Sequence, residues 1–101
     1  MKQFYIHFTS DPPNASVFWL DAPVRKKDSN GTVSLKNNPK KFICRTDDKV
    51  LFKRTAEYEE GDLLPKDNDF FQFELHGFVS EKAQFIYDDS ERIQLIHLVL
   101  Q

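Results

Sequence analysis

The apolar residues of this chain recur at a spacing of two, in short runs broken by turn-forming residues. That spacing constrains the fold more than any other feature. Phe4, Ile6 and Phe8 share one face of an extended segment, with Tyr5 and His7 on the other. Asp11-Pro12-Pro13-Asn14 stops this first strand, because two successive prolines withhold backbone donors and fix φ. Ser16 to Leu20 reads as a short aromatic strand ended by Asp21-Ala22-Pro23. Val24 to Asp28 and Thr32 to Lys36 then flank Ser29-Asn30-Gly31, where Asn-Gly predicts a hairpin with a type I′ turn.

Further along, Asn37-Asn38-Pro39 predicts another turn, and Lys41 to Thr46 and Val50 to Tyr58 read as strands joined across Asp47-Asp48-Lys49. Residues 59–69 form a polar loop containing Gly61 and Pro65, long enough to suggest a binding role. Phe70 to Val79 resumes the alternation, with Gly77 marking a bulge, and Ala83 to Tyr87 reads as one more strand. Arg92 to Leu100 fits two templates: a helix with Ser90 as N-cap, or a strand. The β-branched Ile93, Ile96 and Val99 and the near-continuous apolarity favour a buried central strand.

The whole is a single β-rich domain over residues 1–101. It reads as a mainly β, antiparallel sandwich or small barrel, with an α+β sheet carrying one short C-terminal helix as the alternative. At 101 residues and 40% hydrophobic the chain builds one core and no second. Ten phenylalanines against three dispersed glycines exclude a glycine-rich phosphate loop. Cys44 is the only cysteine, so no disulfide scaffold forms within the chain. The start lacks the continuous apolar stretch of a signal peptide, and no apolar run is long enough to span a bilayer as a helix. The expected location is the cytoplasm.

Charge carries the main functional signal. Residues 24–54 hold ten basic side chains and three acids, a block of +7; residues 55–91 hold eleven acids and two lysines, a block of -9. The overall charge of -2 conceals this opposition. Strand pairing can interleave the two blocks into a mixed, solvated surface; if they segregate, each creates a field that steers a charged partner.

The acids sit beside tyrosines in two stretches: Glu57, Tyr58, Glu59, Glu60 and Asp62, leading on to Asp67 and Asp69, and then Tyr87, Asp88, Asp89 and Glu91. Carboxylates pair with Arg and Lys while a neighbouring ring supplies rigid contact area, so these residues are the candidate partner-binding surface. The expected function is a non-enzymatic protein-binding module that inhibits a basic macromolecule. An immunity protein neutralising a nuclease toxin, or a phage-type inhibitor, suits such a design, the acids filling a cleft built for phosphates. The alternative is a single-stranded nucleic-acid-binding barrel using Lys40, Lys41, Phe42, Lys53 and Arg54.

Candidates for catalysis are weaker. His7, His76 and His97 show no ligand or acid–base spacing. Asp47/Asp48 and Asp88/Asp89 read as turn acids, since adjacent strand residues point to opposite faces. Cys44 reads as a buried small hydrophobe, and Trp19 as a core ring. No catalytic residue, metal site or cofactor is expected.

Overall fold

The computed structural model describes residues 3–27, 29–53, 65, 67–88 and 90–101, with side chains described for all of these but 3, 24–27, 33, 35 and 51–53. Seven strands occupy the described residues: β1 (Gln3–Asp11), β2 (Ser16–Lys27), β3 (Val33–Arg45), β4 (Lys49–Lys53), β5 (Phe70–Glu74), β6 (Glu81–Gln84) and β7 (Ile93–Val99). They form a three-stranded sheet ordered β4-β1-β7 and a four-stranded sheet ordered β3-β2-β5-β6. No barrel closes, and no helix occurs among the described residues. The mainly β fold expected from the period of two is found, as two sheets and not as a barrel.

The alternation of β1 sends Phe4, Ile6 and Phe8 inward, and that of β2 and β5 sends Val17, Trp19, Phe71 and Phe73 to meet them. The ring centroids of Phe8 and Phe71 lie 5.0 Å apart, edge to face, and Phe73 lies 6.2 Å from Phe8. Phe85, beyond the end of β6, meets Phe71 at 6.2 Å and Phe4 at 6.1 Å. Aromatic packing of this kind contributes about 0.5–1.5 kcal/mol per pair beyond the area it buries.

A buried hydroxyl pair ties one end of the sandwich. Ser10 donates to the Pro12 carbonyl at 2.7 Å, and its oxygen lies 2.9 Å from Thr46 Oγ1. Thr46 Oγ1 in turn accepts the N–H of Ala15 at 2.9 Å. The chain leaves β3 here and crosses to the other sheet, with Asp47 in left-handed backbone (φ 75°) donating its N–H to the Phe8 carbonyl. The segments on either side of Asp47-Asp48 are strands, residues 54–58 of the expected Val50–Tyr58 lying outside the described residues, but β3 pairs with β2 and β4 with β1.

Two expected turns are absent. Ser16–Leu20 and residues 24–27 of the expected Val24–Asp28 belong to one strand, β2, Asp28 lying outside the described residues, and Asn37-Asn38-Pro39 lies inside β3, where Asn37 pairs with Pro23 and Asn38 with Ala22. β3 is an edge strand, where a proline costs little. Among the described residues β2 has no partner on its β5 side beyond Trp19, so Pro23 forfeits no ladder bond to them there. Asp21 absorbs the local irregularity with φ 55°, and the Asn38 side chain accepts the Lys40 N–H at 3.0 Å.

The Asn-Gly hairpin forms with a longer loop than expected. Lys27 pairs with Val33, and the left-handed backbone falls on Gly31 (φ 83°) and not on Asn30, so the turn is not type I′. Gly77 marks a turn in place of a bulge. Phe78 donates to the Leu75 carbonyl at 3.0 Å, and Gly77 takes φ 86° with open space where a side chain would stand. Backbone conformation alone demands glycine there. β5 accordingly stops at Glu74, and the next strand is Glu81–Gln84, earlier than the expected Ala83–Tyr87.

β7 is a strand, as its β-branched content implied, but it is neither central nor buried on both faces. It runs parallel to β1 at the edge of the sheet, with Gln94 and Ile96 inside and Ile93, Leu95 and Val99 exposed.

Candidate functional site

Of the described acids of the second half, Asp67, Asp69, Asp88 and Glu91 are held by hydrogen bonds in the segments flanking β5 and β7, whereas Glu74 on β5 pairs with Lys40 and Glu81 stands on β6. Asn68 (φ 75°) donates its N–H to the Phe85 carbonyl at 2.9 Å, and Phe85 returns a bond to the Asp69 carbonyl at 2.7 Å. Alongside, the Gln84 amide donates to Asn68 Oδ1 at 2.7 Å and the Tyr87 N–H to Asp67 Oδ1 at 2.5 Å. The end of the polar loop is thus stitched to the segment leaving β6. Asp69 is anchored further by the indole N–H of Trp19, 3.3 Å from Oδ2.

The second acidic stretch is organised by Gln94. Its side chain is buried on β7, where Oε1 accepts the Asp88 N–H at 3.0 Å and Nε2 donates to the carbonyls of Asp88 (2.9 Å) and Glu91 (2.6 Å). Glu91 also donates its N–H to the Asp88 carbonyl at 3.2 Å, closing a turn. Within it the Asp88 carboxylate accepts both the N–H and the hydroxyl of Ser90, at 2.9 and 2.7 Å. These bonds to Ser90 hold the Asp88 carboxyl below its usual range, so it keeps its charge to lower pH. Gln94 escaped the sequence reading. Its one visible signal was a polar residue on the inward register of an otherwise apolar strand.

Asp67, Asp69, Tyr87, Asp88 and Glu91 therefore form a continuous rim, exposed except for half-buried Asp69 and Tyr87. The Tyr87 ring packs at 5.1 Å on Phe4 and 6.3 Å on Phe85, rigidly held by the core's edge. No salt bridge joins Asp67, Asp88 or Glu91 to a cation among the described residues. Glu57, Tyr58, Glu59, Glu60, Asp62 and Asp89 lie outside the described residues. Beside the rim, Leu20, Asp21, Asn68, Asp69, Phe70 and Lys82 line an open cleft of about 220 Å³, so one lysine does approach the acids.

The basic block is divided. Lys40 lies on the outer side of the four-stranded sheet, ion-paired with Glu74 and 4.5 Å from the centre of the Phe18 ring. That pairing, with a hydrogen bond from Gln72, pulls the Glu74 carboxyl below its usual value. Phe42 is 54% exposed and meets Phe18 edge-on at 5.7 Å. Lys41 pairs across from Trp19, while Lys53 belongs to β4 in the other sheet and Arg54 lies outside the described residues. Of the expected set, Lys40, Lys41 and Phe42 therefore lie in a different sheet from Lys53.

His7 and His97 share the outer face of the three-stranded sheet, where His97 Nδ1 lies 2.8 Å from Thr9 Oγ1; His76 sits apart in the turn after β5. Among the described residues no three His, Cys, Asp or Glu side chains gather in a metal-holding group. Burial, helped by the Asp48 charge, pushes the Cys44 thiol up to about 12, which removes its nucleophilic form at neutral pH. No family model, curated protein or solved structure shows significant similarity to this chain.

Proposed function

We propose that the protein is a non-enzymatic binding module whose acidic rim engages and blocks a basic macromolecule. The observation that carries this reading is the Asp67–Tyr87 hydrogen bond, which ties together two acidic stretches across twenty residues of sequence. Positioned carboxylates around a rigid ring suit a cationic protein cleft, because the acids arrive with little side-chain entropy left to lose. A nuclease toxin, whose cleft is built for phosphate charge, is the partner class that fits best, and an immunity-type inhibitor of the cytoplasm is the corresponding role.

The test is co-expression with the neighbouring reading frame, or pull-down from the native host, using the full chain. The wild type should retain a cationic enzyme and suppress its activity. Charge reversal at Asp67, Asp88 and Glu91 together should abolish retention, and undiminished capture by that variant refutes the reading. A second reading draws on Phe42 and Phe18 beneath Lys40, a ring pair that could stack bases. Salt-dependent retention on single-stranded DNA, lost in Phe42→Ala, would replace the first proposal by this one.

A further inference from the structure

Four cations of the basic block stand on one two-stranded arm. Val24 lies opposite Lys36, Arg25 opposite Leu35, Lys26 opposite Ser34 and Lys27 opposite Val33. The ladder between β2 and β5 ends back at Trp19, and β3 is an edge strand. Among the described residues, then, no third strand flanks this stretch. Ser34 and Lys36 occupy rungs of one face and Asn37 a rung of the other, and all three side chains are exposed. Both faces of the ribbon reach solvent.

The composition of the arm narrows its partner. Residues 24–37 hold Arg25, Lys26, Lys27 and Lys36 against the single acid Asp28, with two Asn, two Ser and one Thr, and no Phe, Tyr or Trp. Alternation puts Lys26 and Lys36 on rungs of one face and Arg25 and Lys27 on rungs of the other, so each face carries cations. Protein interfaces draw on aromatic anchors and are poor in lysine, whereas Lys, Arg, Asn, Ser and Thr are the residues that bond phosphate oxygens. Single-strand binding needs rings on which bases stack, and the arm has none. A two-stranded ribbon fits the major groove of B-form DNA, about 12 Å wide, where a phosphate row runs along each wall. The major groove of duplex RNA is too narrow to admit it.

We propose that this arm binds double-stranded DNA, its cations contacting the phosphates on either side of the groove. Four residues of extended strand rise about 13 Å, and the duplex carries a charge every ~1.7 Å of its axis, so each cation has a phosphate within reach. Contacts of this kind position the protein and carry no sequence preference. The net charge of -2 does not oppose binding, because the local field of the arm, and not the sum over the chain, meets the duplex. The inference uses neither the acidic rim nor Phe42, so it stands or falls separately from both readings above.

Fluorescence anisotropy of a labelled mixed-sequence DNA duplex, titrated with the full chain at about 50 to 200 mM salt, tests the proposal. The expected result is binding whose log K falls with log salt at a slope of about -3 to -4, as four phosphate contacts require. Lys26→Gln, Lys27→Gln and Lys36→Gln together should flatten the slope by about three units and weaken binding about tenfold or more at low salt. Lys36 is exposed, so Lys36→Gln alone should fold and flatten the slope by about one unit even where the triple variant does not fold. Lys49→Gln, at an exposed site on β4 away from the arm, should bind as the wild type does. No binding at low salt up to about 1 mM protein, ten times the weak end of non-specific affinity, overturns the proposal. So does a slope unchanged in the arm variants, or an equal loss in Lys49→Gln. Tighter binding to the single strand, or equal binding to polyglutamate, overturns it too, since a stacking surface or any negative chain would then suffice.

Discussion

The three-stranded sheet and the four-stranded sheet present matching inner faces and opposed outer ones. Inside, Phe4, Ile6, Phe8 and Ile96 of the first meet Val17, Trp19, Phe71 and Phe73 of the second, all buried. Outside, the first sheet shows an uncharged edge with Leu95 and Val99, while the second shows Lys40 bridged to Glu74 beside exposed Phe42. The inner faces are alike because burial favours apolar side chains at every second position, admitting polar Ser10 and Gln94 only with hydrogen-bond partners. The outer faces differ because solvent tolerates any residue, so recognition has room to vary there.

The most demanding challenge to this comparison is to truncate one ring from each inner face. Phe8→Ala and Phe71→Ala should each lower unfolding free energy by about 3–5 kcal/mol in urea titrations. Their centroids lie 5.0 Å apart, so the double variant should lose less than the sum. A loss below about 1 kcal/mol for either would mean that the two sheets do not share one core.

A smaller effect is expected where β7 turns a polar side chain inward. Gln94→Leu keeps the bulk but strips three hydrogen bonds from the 88–91 turn. It should cost about 1–3 kcal/mol and should speed hydrogen exchange at the Asp88 amide. Stability loss with unchanged exchange there would show that Gln94 packs the sheet without organising the rim.

The smallest effect belongs to the outer face of the four-stranded sheet. Lys40 and Glu74 are partly exposed, so Glu74→Gln should change stability by about 0–1 kcal/mol, and less in high salt. The sign follows from the lowered Glu74 pKa. Its contribution is fully present above the unfolded value near 4.5 and fades as pH falls through the lower folded value. Comparing wild type and Glu74→Gln from pH 6 to pH 3 should show their stabilities converging at the acid end. Divergence there would contradict the pairing.

Strand identity was legible wherever alternation ran unbroken, as in β1 and in Phe71, Phe73 and Leu75. It misled where local turn residues were overruled. Asp21-Ala22-Pro23 and Asn37-Asn38-Pro39 look like breaks in one dimension, yet Ala22 and Pro23 pair with Asn38 and Asn37 in one ladder, and among the described residues neither strand has a further partner on its other side there. Turn propensity is a local quantity, and pairing along a long hairpin outweighs it. For the candidate site, the acids and Tyr87 were visible as composition, but Gln94 was not. Its role depends on which carbonyls a turn brings within reach.

The amino-acid sequence by itself determined a β-rich single core, the inward set of aromatic residues and the opposition of two charge blocks. These follow from a period of two and from counting, which need no knowledge of partners in space. Only the tertiary structure decided that β3 and β4 part into different sheets, that Asp67 reaches Tyr87, and that β7 lies uncharged at an edge. Those outcomes rest on long-range pairing, and hydrogen bonds between segments distant in the chain leave no periodic trace in either segment alone.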